Sequence, residues 1–403
     1  MTTSTRHVLI VGAGLAGPCL ALSLAHSNIR STIFELRPGP STMGGSISLG
    51  PNALQVLDRY AGVYDRISAA GFTYRRFGAY FDDGEKFGEI AVGQESKGED
   101  GYPSVRIMRA VLHKLLLEAA EESGMIDEDE EGVTVCFDDG TNTRGDILIG
   151  ADGMHSKVRQ HILGPAAPTP SFDGLCIVYG FVPASSVTCP TDVSFPAMMF
   201  TQSGVLMAIP IEQEATTLAW VINKNMEERD RQGWTEVEQS GHAARVAKAD
   251  YSDIDSQPVR SLLDSADDAR ARLWAAYSIP PLSSWHTSRV CLIGDAAHGL
   301  PLHGGQGSAM AFEDGAILTR LLEAQGSRPY SELFERLQAL RMPRVEKYRE
   351  RSGSVGGSLK RQTGPWLWYI KKLAMRAFFW WNNGVLDHAK EYAYDVDKVD
   401  LGL

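Results

Sequence analysis

Cysteine is scarce in this chain of 403 residues, and the five present (Cys19, Cys136, Cys176, Cys189 and Cys291) form no C-x-x-C pair. An odd count without that pairing argues against a disulfide framework and a cysteine-built metal site. Reduced, buried thiols in a cytoplasmic protein are the expectation, and no metal is expected. Long apolar runs are missing too. None reaches the roughly 18 residues from which a membrane-spanning helix is built. Basic side chains are outnumbered, 39 against 50 acidic ones for a net charge of −11, which disfavours nucleic acid and anionic membrane surfaces as partners. Internal repeats and long linkers are also absent. The length suits two domains or one large composite domain.

The most informative stretch runs from His7 to Arg37, HVLIVGAGLAGPCLALSLAHSNIRSTIFELR. Val8-Leu9-Ile10-Val11 reads as a strand buried on both faces. Gly12-Ala13-Gly14-Leu15-Ala16-Gly17 follows as G-x-G-x-x-G, then a helical segment with Leu20, Leu22 and Leu24. A second strand, Thr32-Ile33-Phe34, ends in Glu35-Leu36-Arg37. Gly12 permits a tight turn, Gly14 lets backbone approach a pyrophosphate, and Gly17 lets helix and strand pack closely. The helix N-terminus offers free N–H groups and a positive dipole end to phosphates. Glu35 stands where a carboxylate accepts both hydroxyls of an adenosine ribose. A signal peptide is the competing reading, but three glycines interrupt its apolar core and no A-x-A cleavage site follows. The expectation is a dinucleotide site.

Further along, Gly44 and Gly45 precede a short strand starting at Ser46, as if backbone packs against something flat. Residues 72–90 alternate around Asp82-Asp83-Gly84, a hairpin signal. Arg109 opens a helix whose Leu112, Leu115, Leu116 and Ala119 share one face. The acidic run Glu121 to Glu131 reads as solvated loop. Strands are predicted at 133–137 and 146–149, the second running into Gly150-Ala151-Asp152-Gly153. Residues 172–223 read as a mainly antiparallel sheet, and 227–275 as polar helix. Arg289 to Ile293 forms a strand feeding a Gly294-Asp295 turn. His303-Gly304-Gly305-Gln306-Gly307 then leads into a helix from about Ser308 to Glu323.

Three separated motifs, G-x-G-x-x-G with Glu35, Gly150–Arg159, and Arg289–Gly307, together resemble the class A (single-component) FAD-dependent monooxygenases. That family includes 4-hydroxybenzoate, salicylate and urate hydroxylases and many tailoring enzymes of fungal secondary metabolism. The resemblance covers residues 7 to about 350. It implies an α/β fold, with a Rossmann-like, GR2-type FAD-binding domain, an inserted mainly antiparallel substrate domain, and C-terminal helices. The expected division is 1–75, 100–171 and 285–350 for FAD, 76–99 and 172–284 for substrate, and 351–403 as a C-terminal helical segment.

The same resemblance implies that Gly12, Gly14, Leu15, Ala16 and Gly17 hold the FAD pyrophosphate, with Glu35, Leu36 and Arg37 at the adenosine ribose. Gly45 and Ser46 would lie along the isoalloxazine, and Arg109 would reach the pyrophosphate and ribityl region. Asp152 and Gly153 belong to the family's second nucleotide motif, to which FAD and NAD(P)H contacts are both ascribed. Gly294 and Asp295 would meet the ribityl chain. Gly305, Gln306, Gly307 and Ser308 would border the flavin N1–C2 edge, where a helix dipole stabilises the negative charge of reduced flavin, and Pro301 would lie beside the flavin near where oxygen reacts. Asp152 and Asp295 have a second reading as turn residues that satisfy local N–H groups. One departure stands out: the family proline usually falls at Leu302, and here it stands one residue earlier.

With FAD come NADPH or NADH as transient reductant and O2 as co-substrate. The family chemistry delivers one oxygen atom through a C4a-hydroperoxyflavin to an electron-rich carbon, by hydroxylation or epoxidation. Baeyer–Villiger oxygenation and a non-oxygenating reductase or cyclase are the alternatives. His303 and Tyr179 are the candidate catalytic residues, the first as an acid–base imidazole, the second as a phenol that activates or anchors substrate. Each has packing as its competing role. Met198, Met199, Phe200, Met207 and Trp220 suggest an apolar pocket wall. Arginine is sparse across 172–223, which favours a neutral, bulky aromatic or polycyclic substrate. The aromatic stretch Trp366 to Trp381 reads as an amphipathic lid or wall, and monomer and homodimer both fit the sequence. A hydrolase is disfavoured by the lack of a G-x-S-x-G elbow.

Overall fold

The structure is a computed structural model and describes residues 6–36, 45–93, 101–122, 132–136, 142–301, 305–359, 364–387 and 392–403. A four-stranded parallel sheet runs in the spatial order Val290–Leu292, Ile147–Gly150, His7–Val11, Arg30–Phe34. Three of its strands are largely apolar because both faces are covered, and only Arg30–Phe34 at the edge is half-buried throughout. Val8 and Ile10 pack with Leu20 and Leu24 of helix Ala16–His26 and with Phe312 and Ile317 of helix Gly307–Glu323. Leu9 and Leu148 face the other way, onto Val158 and Trp285. All four strands point in one direction, so the turns after Val11, Gly150 and Leu292 meet at the sheet's carboxyl edge. That edge is where ligands bind in such sheets.

A second sheet has eight strands, in the order Arg272–Ser278, Ser171–Pro183, Thr217–Asn225, Gly204–Pro210, Ala197–Thr201, Arg76–Phe81, Lys86–Ala91, Val385–Asp387. It is mainly antiparallel, with two parallel pairs in its second half. Two strands depart from expectation. Arg272–Ser278 lies in the stretch read as helical, and Val385–Asp387 interrupts the C-terminal segment read as helices. Both are edge strands, and their ladder partners are remote in sequence, Ser171–Pro183 for one and Lys86–Ala91 for the other. Edge pairing of this kind leaves little local pattern.

Between the two lies a small antiparallel sheet, Ser46–Leu49, Ser104–Met108 and Phe72–Tyr74. Leu49, Val105 and Ile107 point into the nucleotide-side core. Ser46, Ser48, Arg106, Phe72 and Tyr74 take the opposite face, since side chains alternate along a strand. Helix Pro365–Trp381 straps across the hairpin of the larger sheet. Trp368 Nε1 donates to Asp82 at 2.8 Å, Lys372 pairs with Asp82 and Asp83, and Arg376 pairs with Glu85. The exposed Trp366, Trp380 and Trp381 lie on the outer side of this strap.

Candidate flavin and substrate site

The glycine turn shows three different demands. Gly12 has φ +106°, and a Cβ there would stand 2.5 Å from the Ala151 carbonyl oxygen. A Cβ on Gly17 would lie 2.0 Å from the Gly12 oxygen, so that glycine is fixed by helix–strand packing. Around Gly14 a Cβ would meet nothing within 4 Å. The turn therefore presents Gly14 to open space. Ala13 N–H donates to Glu35 Oε2 at 2.8 Å, and the Ala13 carbonyl contacts His113 Nε2 at 2.5 Å. Leu15 and Ala16 are half-buried at the start of the helix. Leu36 is 97% exposed. Arg37 lies outside the described residues.

Asp152 does local work. Its carboxylate accepts from Ser156 Oγ at 2.6 Å, from Lys157 N–H at 2.7 Å and from Val158 N–H at 3.1 Å. Both oxygens thus serve the start of helix Lys157–Leu163, the turn role its residue type allows. Gly153, at φ +75°, borders open space.

Asp295 is different. Its side chain is exposed on the cleft, and a Cβ on Gly307 would come 3.9 Å from its Oδ1. It therefore stands beside the N-terminus of helix Gly307–Glu323. Protein crowds it from its other sides, and that enclosure pushes its carboxyl up from the ordinary range against the pull of His298 and Arg109. Gly305, at φ +61°, opens onto the same space, with Gly307, Ser308 and Pro301 half-buried and Gln306 buried. Arg109 N–H donates to the Gly45 carbonyl at 3.0 Å, and its charge acts on both Asp295 and Tyr179. The Tyr179 ring covers Gly45 so closely that a Cβ there would be 2.5 Å from Cε2. Gly45, Ser46, Arg109, Asp295 and Tyr179 are thus brought together. His303, with Leu302 and Gly304, lies outside the described residues.

Behind the cleft is a buried polar network that sequence reading missed. Asp314 accepts from Gly294 N–H at 2.9 Å, lies 2.6 Å from His298 Nε2, and takes Arg341 Nε at 2.7 Å. Glu313 holds Arg341 and Arg344, each at 2.7 Å, and accepts from Asn52, which also donates to Gln306 at 3.0 Å. An adjacent acidic pair inside the apolar run AMAFEDGAIL was the available signal. A buried charge requires partners. On the pocket side, Met198, Phe200 and Met207 pack toward Tyr74 and Phe77, whereas Met199 and Trp220 turn away into a separate core.

These residues fit a flavin dinucleotide. Gly14, Gly153 and Gly305 border open space, and a carboxylate and a helix N-terminus face the same cleft. The family described as FAD binding domain matches residues 5–352. The chain belongs to the class A flavoprotein monooxygenases. This FAD-dependent monooxygenase is 30% identical to 3-amino-4-hydroxybenzoate 2-monooxygenase of Streptomyces platensis over 380 residues, 91% of each chain. It is 29% identical to 6-hydroxynicotinate 3-monooxygenase of Pseudomonas fluorescens, covering 86% of this chain and 90% of the relative. Its fold is shared with Klebsiella pneumoniae HpxO, solved with FAD and uric acid, at a TM-score of 0.74 and 21% identity over 93% of each chain. Among the described residues no helix is long and apolar enough to cross a membrane, and no group of side chains is placed to hold a metal.

Proposed function

We propose that this monooxygenase uses NADPH or NADH to hydroxylate an electron-rich, hydroxylated aromatic ring, with one oxygen atom taken from O2. The chemistry supplied by the bound flavin is the reductive activation of O2 for transfer to carbon. The chain supplies position and field. Gly12, Gly14 and the Ala16–His26 helix N-terminus would receive the pyrophosphate, and Glu35, which stiffens that turn, would hold the adenosine ribose. Asp295 would accept from the ribityl chain. The N-terminus of helix Gly307–Glu323 offsets negative charge on the reduced ring.

The observation that carries this reading is the convergence of Gly45, Arg109, Asp295 and Tyr179 on one cleft. Substrate would enter between the small sheet and the Met198, Phe200, Met207 face, where apolar walls exclude water. Both relatives cited above act, by name, on hydroxylated aromatic rings. Tyr179 stays a neutral phenol, because burial and Glu238 push its hydroxyl up to about 12 against Arg272 and Arg109. It serves as a donor that orients a substrate hydroxyl. We place the protein in the cytoplasm, with the nucleotide and substrate segments divided as expected from sequence.

The test is NADPH and NADH oxidation with parallel O2 uptake by the yellow holoenzyme, across a panel of hydroxylated aromatics. Ring hydroxylation predicts that at least one panel member accelerates both and yields a product heavier by one oxygen atom. A holoenzyme that is reduced but never consumes O2 with any ligand contradicts it.

A further inference from the structure

Arg106 sits mid-strand in the small sheet, on the face that looks away from the nucleotide-side core. Its Nε donates to Ser46 Oγ at 2.8 Å and its terminal nitrogen to Ser48 Oγ at 3.1 Å. Ser48 Oγ in turn lies 2.9 Å from the Tyr74 hydroxyl. All of these partners are neutral. Among the described residues no carboxylate pairs with Arg106, and its enclosure by protein works against its charge, with only Tyr74 opposing that. Arg341, fully buried, shows the usual arrangement, with Glu313 and Asp314 both on it.

A guanidinium has five N–H donors in a rigid fork. With two used by the serines, the rest stay available at the terminal end, the geometry that grips a carboxylate through two parallel bonds. Serine hydroxyls fix the fork's direction without neutralising its charge. The position matters as much. Ser46 adjoins Gly45, which is covered by Tyr179 and tied to Arg109, so the unspent charge lies next to the reaction cleft. Arg109 already serves the Asp295 side. The arginine-poor segment 172–223 thus receives its cation from a strand outside it.

We propose that Arg106, aimed by Ser46 and Ser48, determines specificity by pairing with a carboxylate carried on the aromatic substrate. The assignment rests on the ring-hydroxylation reading above. It is tested by binding, which does not require turnover.

Paired ligands, hydroxybenzoates and the corresponding hydroxybenzamides, are titrated into the FAD-loaded enzyme and followed by the change in the flavin absorption spectrum. The unaltered enzyme is expected to bind the best acid roughly 30-fold or more tightly than its amide. Arg106→Gln brings that ratio near one, while Arg106→Lys retains part of it and the amide's affinity changes little. In turnover the loss falls on KM more than on kcat. An unaltered enzyme without preference for any acid over its amide overturns the proposal, whether or not the variant folds. So does Arg106→Gln with the preference intact. Acid-selective binding without O2 uptake keeps the Arg106 assignment and sinks the hydroxylase reading instead.

Discussion

The backbone N–H of Ala13 donates to a carboxylate oxygen of Glu35 at 2.8 Å, across 22 residues of chain. The acidic end of the second strand therefore stiffens the glycine turn. In the proposed reading Glu35 has two tasks, one toward the protein and one toward the ribose. Glu35→Ala removes both, leaving an amide N–H to find water. FAD affinity of the apoprotein is expected to fall by tenfold or more, since a lost charge-assisted bond costs about 1.5–3 kcal/mol. Flavin fluorescence titration reads it, and an unchanged affinity refutes the role.

Gly14 and Gly17 separate binding from folding. Gly14→Ala places a methyl in open space, so the protein should fold normally and bind FAD more weakly. Gly17→Ala drives a methyl into the Gly12 carbonyl, and thermal stability should drop before any ligand is added. Melting curves of the two apoproteins decide the matter. Equal curves contradict the assignment.

Much of the nucleotide half was legible in sequence because its signals are local. Gly12 to Glu35 carries strand, turn, helix and acid within one short stretch, and the hairpin at Asp82-Asp83-Gly84 is punctuated by its own turn residues. What stayed hidden depends on distant partners. Asp314 meets Arg341 and His298 only once the fold is made. Arg106 gains its meaning from cross-strand pairing with Ser48, 58 residues away, and nothing in its neighbours announces that. For Asp152 the sequence left two readings, a cofactor motif and a turn residue, and the bonds to Lys157 and Val158 show the turn.

The buried network makes stability acid-sensitive. Burial alone would raise the Asp314 carboxyl, but His298, Arg341 and the Gly294 N–H outweigh it and hold it well below the usual carboxylate range. A depressed folded pKa contributes stability above the unfolded value of about 3.9 and loses it as pH falls through and below that point. Asp314→Asn takes the carboxylate from His298 and leaves Arg341 with Glu313 alone, and should cost about 3–5 kcal/mol near neutrality. Its acid-unfolding midpoint should depend on pH less steeply than that of the unaltered chain. Urea melts at pH 7 and at about pH 2.5, well below the unfolded value, check both, and equal losses at the two values contradict the linkage.

Tyr179 should donate, not titrate. With its hydroxyl pushed up to about 12, it is protonated through the working pH range. Tyr179→Phe is expected to lower kcat/KM without changing the shape of its pH profile between about pH 6 and 9. A basic limb that disappears in the variant identifies Tyr179 as the titrating group and refutes the donor role.

The most direct measurement is turnover under 18O2 in ordinary water, with the product analysed by mass. The account predicts one 18O atom in each product molecule, with NAD(P)H consumed one for one. A product bearing only oxygen from water, or none added, contradicts it.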